Sequence, residues 1–232
     1  LVEIDALEGA STERAPVAMT VVMDVSGSMN GNKIGNARSA AEALVDSLSV
    51  GDQISLITFN HAAEVQLRGI EITGDRSPAH AAIRALSASG GTCISCGLEA
   101  AYALLGESGD SHQRRVILLS DGQGSSSAQQ LGVLAQRAMA EQQTPTAAIG
   151  LGRDVNEGIM QAIAEDSTGS YYFMHNSSST ESILARELAH LEKIVASNVS
   201  IELRPAPGVR FGDTGIIGAR KDGNSLILSL GQ

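Results

Sequence analysis

Short apolar runs alternate with longer amphipathic ones along most of this chain, and that order leaves few folds open. Met19 to Met23, Gln53 to Phe59, Arg115 to Leu119, Pro145 to Ile149 and Tyr171 to Met174 read as strands. Helical patterns occupy Lys33 to Leu48, Pro78 to Leu86, Ile94 to Leu105, Ala128 to Glu141, Asn156 to Glu165 and Glu181 to Val195. In the first of these, Ile34, Ala37, Ala41, Leu44, Val45 and Leu48 form one stripe, with Lys33, Arg38 and Glu42 outside it. Such alternation predicts an α/β, doubly wound, mostly parallel sheet with helices on both faces. Ala62 to Thr73 departs from the pattern. It follows the second strand after only Asn60-His61, with Val65, Leu67, Ile70 and Ile72 as its apolar positions. That connection is too short for a crossover, so the segment should be an antiparallel edge strand.

The two ends read differently from the middle. After Val195 the helical spacing stops, and strand patterns at Val199 to Leu203, Val209 to Phe211 and Ser225 to Leu230 are separated by turn residues such as Pro205-Ala206-Pro207-Gly208. Leu1 to Ala6 alternates apolar and polar residues. These pieces are expected to form a small antiparallel β annex, with the N-terminal strand joining the C-terminal ones. The expected division is an α/β domain over 15–197, with 1–14 and 198–232 supplying the annex. The length of 232 residues suits that division. The chain opens at Leu1 rather than Met, so it is expected to be processed or cut from a longer protein, with its sandwich-like β annex incomplete here.

Composition removes several function classes. A formal net charge of −10 argues against a nucleic-acid partner, which would require a basic stripe. Aromatic residues make up 3% and Trp is absent, so the core must come from Val, Ile, Leu and Ala. No apolar run approaches the length of a membrane span. Two cysteines make no disulfide framework and leave the compartment open.

Asp24-Val25-Ser26-Gly27-Ser28 closes the first strand just before a helix. On a continuing strand its carboxylate and two hydroxyls would stand roughly 6–7 Å apart, too far to grip one ion. They converge if the chain curls over the strand end, and Gly27 permits the curl. Hard oxygen ligands of this kind suit Mg²⁺ or Mn²⁺ better than zinc or copper. Gly90-Gly91-Thr92 lies mid-chain, and Ser120-Asp121-Gly122 follows the strand Arg115 to Leu119. With these three pieces in this order, the chain resembles the von Willebrand factor A domain family over roughly residues 15 to 195. That family's metal-ion-dependent adhesion site has the pattern Asp-x-Ser-x-Ser.

The resemblance implies a Rossmann-like fold with the site beyond the carboxyl ends of the strands, where the strand order reverses. It implies Ser26, Ser28 and Thr92 as hydroxyl ligands, with Asp24 and Asp121 binding directly or through water. Mg²⁺ is the expected ion, with Mn²⁺ or Ca²⁺ as alternatives. The implied role is adhesion or assembly: the ion's open position takes the Asp or Glu of a protein partner, and a bridging cation lets two acidic surfaces meet. A monomer is expected, and no catalysis. There is no Gly-x-Ser-x-Gly elbow and no phosphate-binding Gly-x-x-x-x-Gly-Lys loop. Gly150-Leu151-Gly152-Arg153 reads as a plain turn.

Cys93-Ile94-Ser95-Cys96, directly after Thr92, departs from the family's usual polar and small residues at the two cysteine positions. A Cys-x-x-Cys pair at a helix start supports a rival reading, a thiol redox sensor or oxidoreductase, because the helix dipole acidifies the first thiol. Packing of two small buried residues is the favoured expectation.

Overall fold

A computed structural model describes residues 15–107, 112–175, 183, 186–187, 200–206, 209, 212, 219–222 and 225–229. Its main sheet contains β1 (Val17–Asp24), β2 (Gln53–Phe59), β3 (Ala63–Glu71), β4 (Gln113–Ser120), β5 (Thr146–Leu151) and β6 (Tyr171–Met174). The strand order is β3-β2-β1-β4-β5-β6. Every neighbouring pair is parallel except β2 with β3, which is antiparallel, as the short Asn60-His61 connection predicts. From β1 the chain works outward through β2 to β3, and from β4 it works outward the other way. The crevice between β1 and β4 is therefore the switch point where such sheets place ligands.

Helices α1 (Asn32–Ser47), α2 (Ser77–Ala85), α3 (Ile94–Gly106), α4 (Ala128–Gln142) and α5 (Glu157–Asp166) cover the sheet. The pleat of β1 divides the core between the two faces. Val17, Met19, Val21 and Met23 point to the side of Ala37, Ala41 and Leu44 of α1 and Ile83 of α2. Ala18 and Val22 point to the side of Leu98 of α3, Leu131 of α4 and Ile163 of α5. Every residue of β1 is buried, as a central parallel strand covered on both sides requires. The chain thus has the expected α/β architecture of a doubly wound, mostly parallel sheet with one antiparallel edge strand.

A second, smaller sheet contains β7 (Ser200–Leu203), β8 (Ala219–Asp222) and β9 (Ser225–Ser229), antiparallel in the order β7-β9-β8. The two sheets belong to separate compact units. The third strand here is β8, whereas the sequence pattern pointed to Val209 to Phe211. Val209 lies in no strand, and Phe211 is outside the described residues. Ala219-Arg220-Lys221-Asp222 has no apolar alternation to announce a strand. Its pairing with β9 puts Asp222 opposite Ser225, leaving Gly223-Asn224, a composition common in tight hairpins, between them. The proposed N-terminal strand Leu1 to Ala6 lies outside the described residues. So does most of the helix expected from Glu181 to Val195, of which Ile183, Arg186 and Glu187 are helical.

Candidate metal centre

Asp24 is the last residue of β1, and the next few residues execute the curl. Ser26 is still extended, at φ −68° and ψ 167°, and a 3-10 turn follows at Gly27–Met29 with Met29 buried beneath it. The turn folds Ser28 back so that its Oγ lies 3.1 Å from Ser26 Oγ, half the separation a strand would impose. The Ser26 N–H donates to Asp24 Oδ1 at 2.8 Å, fixing the carboxylate toward the same loop. Gly27 matters for close approach. A Cβ there would stand 3.2 Å from the Gly90 carbonyl oxygen, which accepts the Gly27 N–H at 2.9 Å.

That bond brings in the second loop. Ser89 N–H donates to Val25 C=O at 2.7 Å, so Ser89 and Gly90 both hold the β1 loop. Half-buried Thr92 follows, then Cys93 as the N-cap residue of α3. On its other side, the Thr92 carbonyl lies 3.7 Å from the position a Cβ on Gly124 would take, so the loop also meets the one after β4.

The third loop carries Asp121. Ser120 Oγ donates to Asp24 Oδ2 at 2.6 Å and accepts the Gly122 N–H at 2.9 Å. Gly122 sits at φ +70°, where a side chain would also press on Asn156. Asp121 Oδ1 accepts from the Gln123 N–H at 3.1 Å, and its Oδ2 accepts from Lys33 Nζ at 2.8 Å. Lys33 also reaches Asp154 at 2.7 Å.

Asp24 and Asp121 are both fully buried. Burial pushes the Asp24 carboxyl above its usual range. Hydrogen bonds from Ser120 and Ser26 pull it back, and the neighbouring charge of Asp121 adds to the rise. Among the described residues Asp24 forms no ion pair with a lysine or arginine, so its charge has no cationic partner. For Lys33 burial works to lower the pKa, but the hydrogen bonds and charges of Asp121 and Asp154 outweigh it and leave the ammonium raised.

The three loops that carry Asp24, Ser26, Ser28, Thr92 and Asp121 thus meet at the switch point. Two neighbouring ligands of one Mg²⁺, each at about 2.1 Å in octahedral geometry, stand roughly 3.0 Å apart. The 3.1 Å between the Ser26 and Ser28 hydroxyls fits that spacing, and the all-oxygen donor set fits a hard cation. Ser120, Lys33 and Asp154 are not among the residues that the sequence singles out as ligands. Ser120 lies within Ser120-Asp121-Gly122, so its signal is present in the sequence. Lys33 and Asp154 lie 121 residues apart and carry no local signature of their meeting.

Cys93 and Cys96 are not the buried packing pair favoured from sequence. They form a disulfide, with Cα atoms 5.3 Å apart, and both are half-buried. The first turn of α3 brings positions three apart within bridging distance. Of Gly150-Leu151-Gly152-Arg153, read from sequence as a turn, Gly150 and Leu151 are instead the last two residues of β5, and the chain turns only at Gly152 and Arg153.

A von Willebrand factor type A domain model matches residues 19–186. An uncharacterized protein of Synechocystis sp. is 26% identical over 194 residues, covering 84% of this chain and 46% of that protein. Human calcium-activated chloride channel regulator 1 is 33% identical over 107 residues, 44% of this chain and 12% of that protein. The chain thus spans less than half the length of these relatives. Among solved structures, the von Willebrand factor type A protein from Catenulispora acidiphila superposes with a TM-score of 0.73 at 20% identity, covering 84% of this chain and 47% of that one. Proximal thread matrix protein 1 from the mussel byssus, with a zinc-occupied MIDAS motif, gives 0.64 at 18% identity, covering 82% and 50%. With the family model covering most of the α/β unit and the fold agreeing, this chain belongs to the von Willebrand factor type A domain family.

Proposed function

We propose that this chain is a protein-binding module that captures an acidic side chain of a partner through a divalent cation held by Asp24, Ser26, Ser28, Thr92 and Asp121. The observation that carries the reading is the buried Asp24 carboxylate, which has no lysine or arginine partner among the described residues, beside Asp121 and a loop whose two serine hydroxyls stand 3.1 Å apart. A buried carboxylate without a cation is costly, and a bound ion removes that cost. Mg²⁺ is the favoured ion, with Mn²⁺ and Ca²⁺ as alternatives. The zinc held by the MIDAS motif of the mussel protein supports a divalent ion at the matching motif. When bound, the ion supplies a positive, ligand-accepting position to an otherwise acidic protein. The chain's own residues orient it: Ser26 N–H and Ser120 Oγ fix Asp24, and Lys33 and Gln123 fix Asp121. The role is adhesion or assembly rather than catalysis, and no helix among the described residues is long and apolar enough to cross a membrane. Residues 15–197 are proposed as the domain and the flanking segments as its annex.

Capture of partner proteins by the whole chain, in Mg²⁺ and then in EDTA, tests this. Binding should be lost in EDTA, return with Mg²⁺ and be absent in Asp24→Ala. In the partner, Asp→Ala or Glu→Ala at the contact should cost several kcal/mol. Partners that bind equally in EDTA would show that another surface is used.

A thiol redox reading remains beside it, favoured by the half-buried Cys93–Cys96 disulfide adjoining Thr92. In that reading, oxidised and reduced protein differ several-fold in Mg²⁺ affinity. Equal affinities leave the disulfide a structural staple.

A further inference from the structure

Lys33 is placed against the grain of its own helix. It is the second residue of α1, where the helix dipole disfavours a cation. Its stem passes over Gly152, whose φ is +92° and where a Cβ would stand 2.5 Å from Lys33 Cε. The backbone after β5 is thus shaped to let the lysine pass. At its end Nζ bridges Asp121 Oδ2 at 2.8 Å and Asp154 Oδ1 at 2.7 Å. Asp121 is fully buried, whereas the Asp154 side chain is 65% exposed, so the buried partner gains most from the bridge. Gln123 reinforces the frame, donating its N–H to Asp121 and its side-chain amide to the Asp154 carbonyl.

We propose that Lys33 is a positioning residue that holds Asp121 Oδ2 back from the cation, leaving the cation short of negative charge and in need of the partner's carboxylate. This rests on the metal reading above and adds the device that sets the ion's appetite. With Lys33 shared between buried Asp121 and exposed Asp154, the Asp121 charge is already partly offset by the protein itself. The ion then keeps an excess positive charge, which favours an anionic oxygen from outside. Without Lys33, Asp121 is free to bind directly, and the site becomes better for the metal and worse for the ligand. The two effects have opposite signs, which a loss of structure would not produce.

The test uses the whole chain with Mn²⁺ as the metal and acetate as the carboxylate probe, comparing wild type with Lys33→Met. Mn²⁺ affinity should rise about tenfold in Lys33→Met, the scale of removing one charge beside a divalent ion in a water-like dielectric. Water-proton relaxation should report one fewer water on the bound Mn²⁺. The acetate concentration needed to displace water should rise several-fold. Unchanged or weaker Mn²⁺ binding in a folded Lys33→Met overturns the proposal. Asp154→Asn, at an exposed position, provides a second arm. It leaves Lys33 wholly to Asp121 and should weaken Mn²⁺ binding, and a tighter site there also overturns the proposal. If wild type itself binds no Mn²⁺, the metal reading fails and this inference fails with it. If wild type binds and Asp24→Ala does not, only the role of Lys33 is at stake.

Discussion

At the scale of single residues, Ser120 is the side chain on which the candidate centre leans without being counted among its ligands. Its hydroxyl donates to buried Asp24 and accepts from Gly122, so Ser120→Ala leaves two buried polar groups unsatisfied. A loss of about 1–3 kcal/mol in denaturant unfolding is expected, together with weaker Mg²⁺ binding because Asp24 loses its orienting bond. Wild-type stability in that variant would show that the bond carries no weight. The contrast among residues explains what a reader of the sequence can see. Asp24, Ser26 and Ser28 are legible because their convergence is local and depends on one turn. Ser120 becomes meaningful only through the register of β1 against β4, which pairs Met23 with Leu119 and brings Ser120 beside Asp24. Lys33 is visible in sequence only as a polar residue outside the apolar stripe of α1.

At the scale of elements, the start and body of α3 each carry a prediction. The Cys93–Cys96 bridge closes a very short loop, and chain entropy assigns such a bridge about 2 kcal/mol. The double variant Cys93→Ser, Cys96→Ser should lose that much in denaturant unfolding, and no loss would mean the bridge contributes nothing to α3. Further along, buried Tyr102 bonds Thr146 Oγ1 at 2.7 Å, and burial pushes its phenol up to about 12. Because the folded pKa lies above the ordinary value near 10, the folded state holds its proton longer than the unfolded one. That contribution is complete below about pH 10 and is lost as pH rises toward about 12. Tyr102→Phe should therefore unfold less steeply over this window, and an alkaline unfolding curve unchanged by the substitution would contradict the assignment. Strands β1, β2, β4 and β5 could be read because they are apolar runs buried on both sides. The strand β8 could not, because Arg220, Lys221 and Asp222 offer no period, and only its pairing with β9 makes it a strand.

At the scale of the whole molecule, an acidic chain with net charge −10 is proposed to bind acidic partners, and a bridging cation resolves the contradiction. Residues 15–197 expressed alone should unfold cooperatively and bind Mg²⁺ as the full chain does, and failure to fold would make the annex part of the domain. The family is legible from three short motifs because each lies at the carboxyl end of a strand or before a helix, where the fold brings them together. What the partner is depends on surfaces no local pattern encodes. Five oxygens from three loops are proposed to make one metal site, and calorimetric titration of the whole chain with Mg²⁺ is the decisive measurement. Wild type should show a single site that Asp24→Ala abolishes, whereas identical titrations for the two proteins would rule that site out.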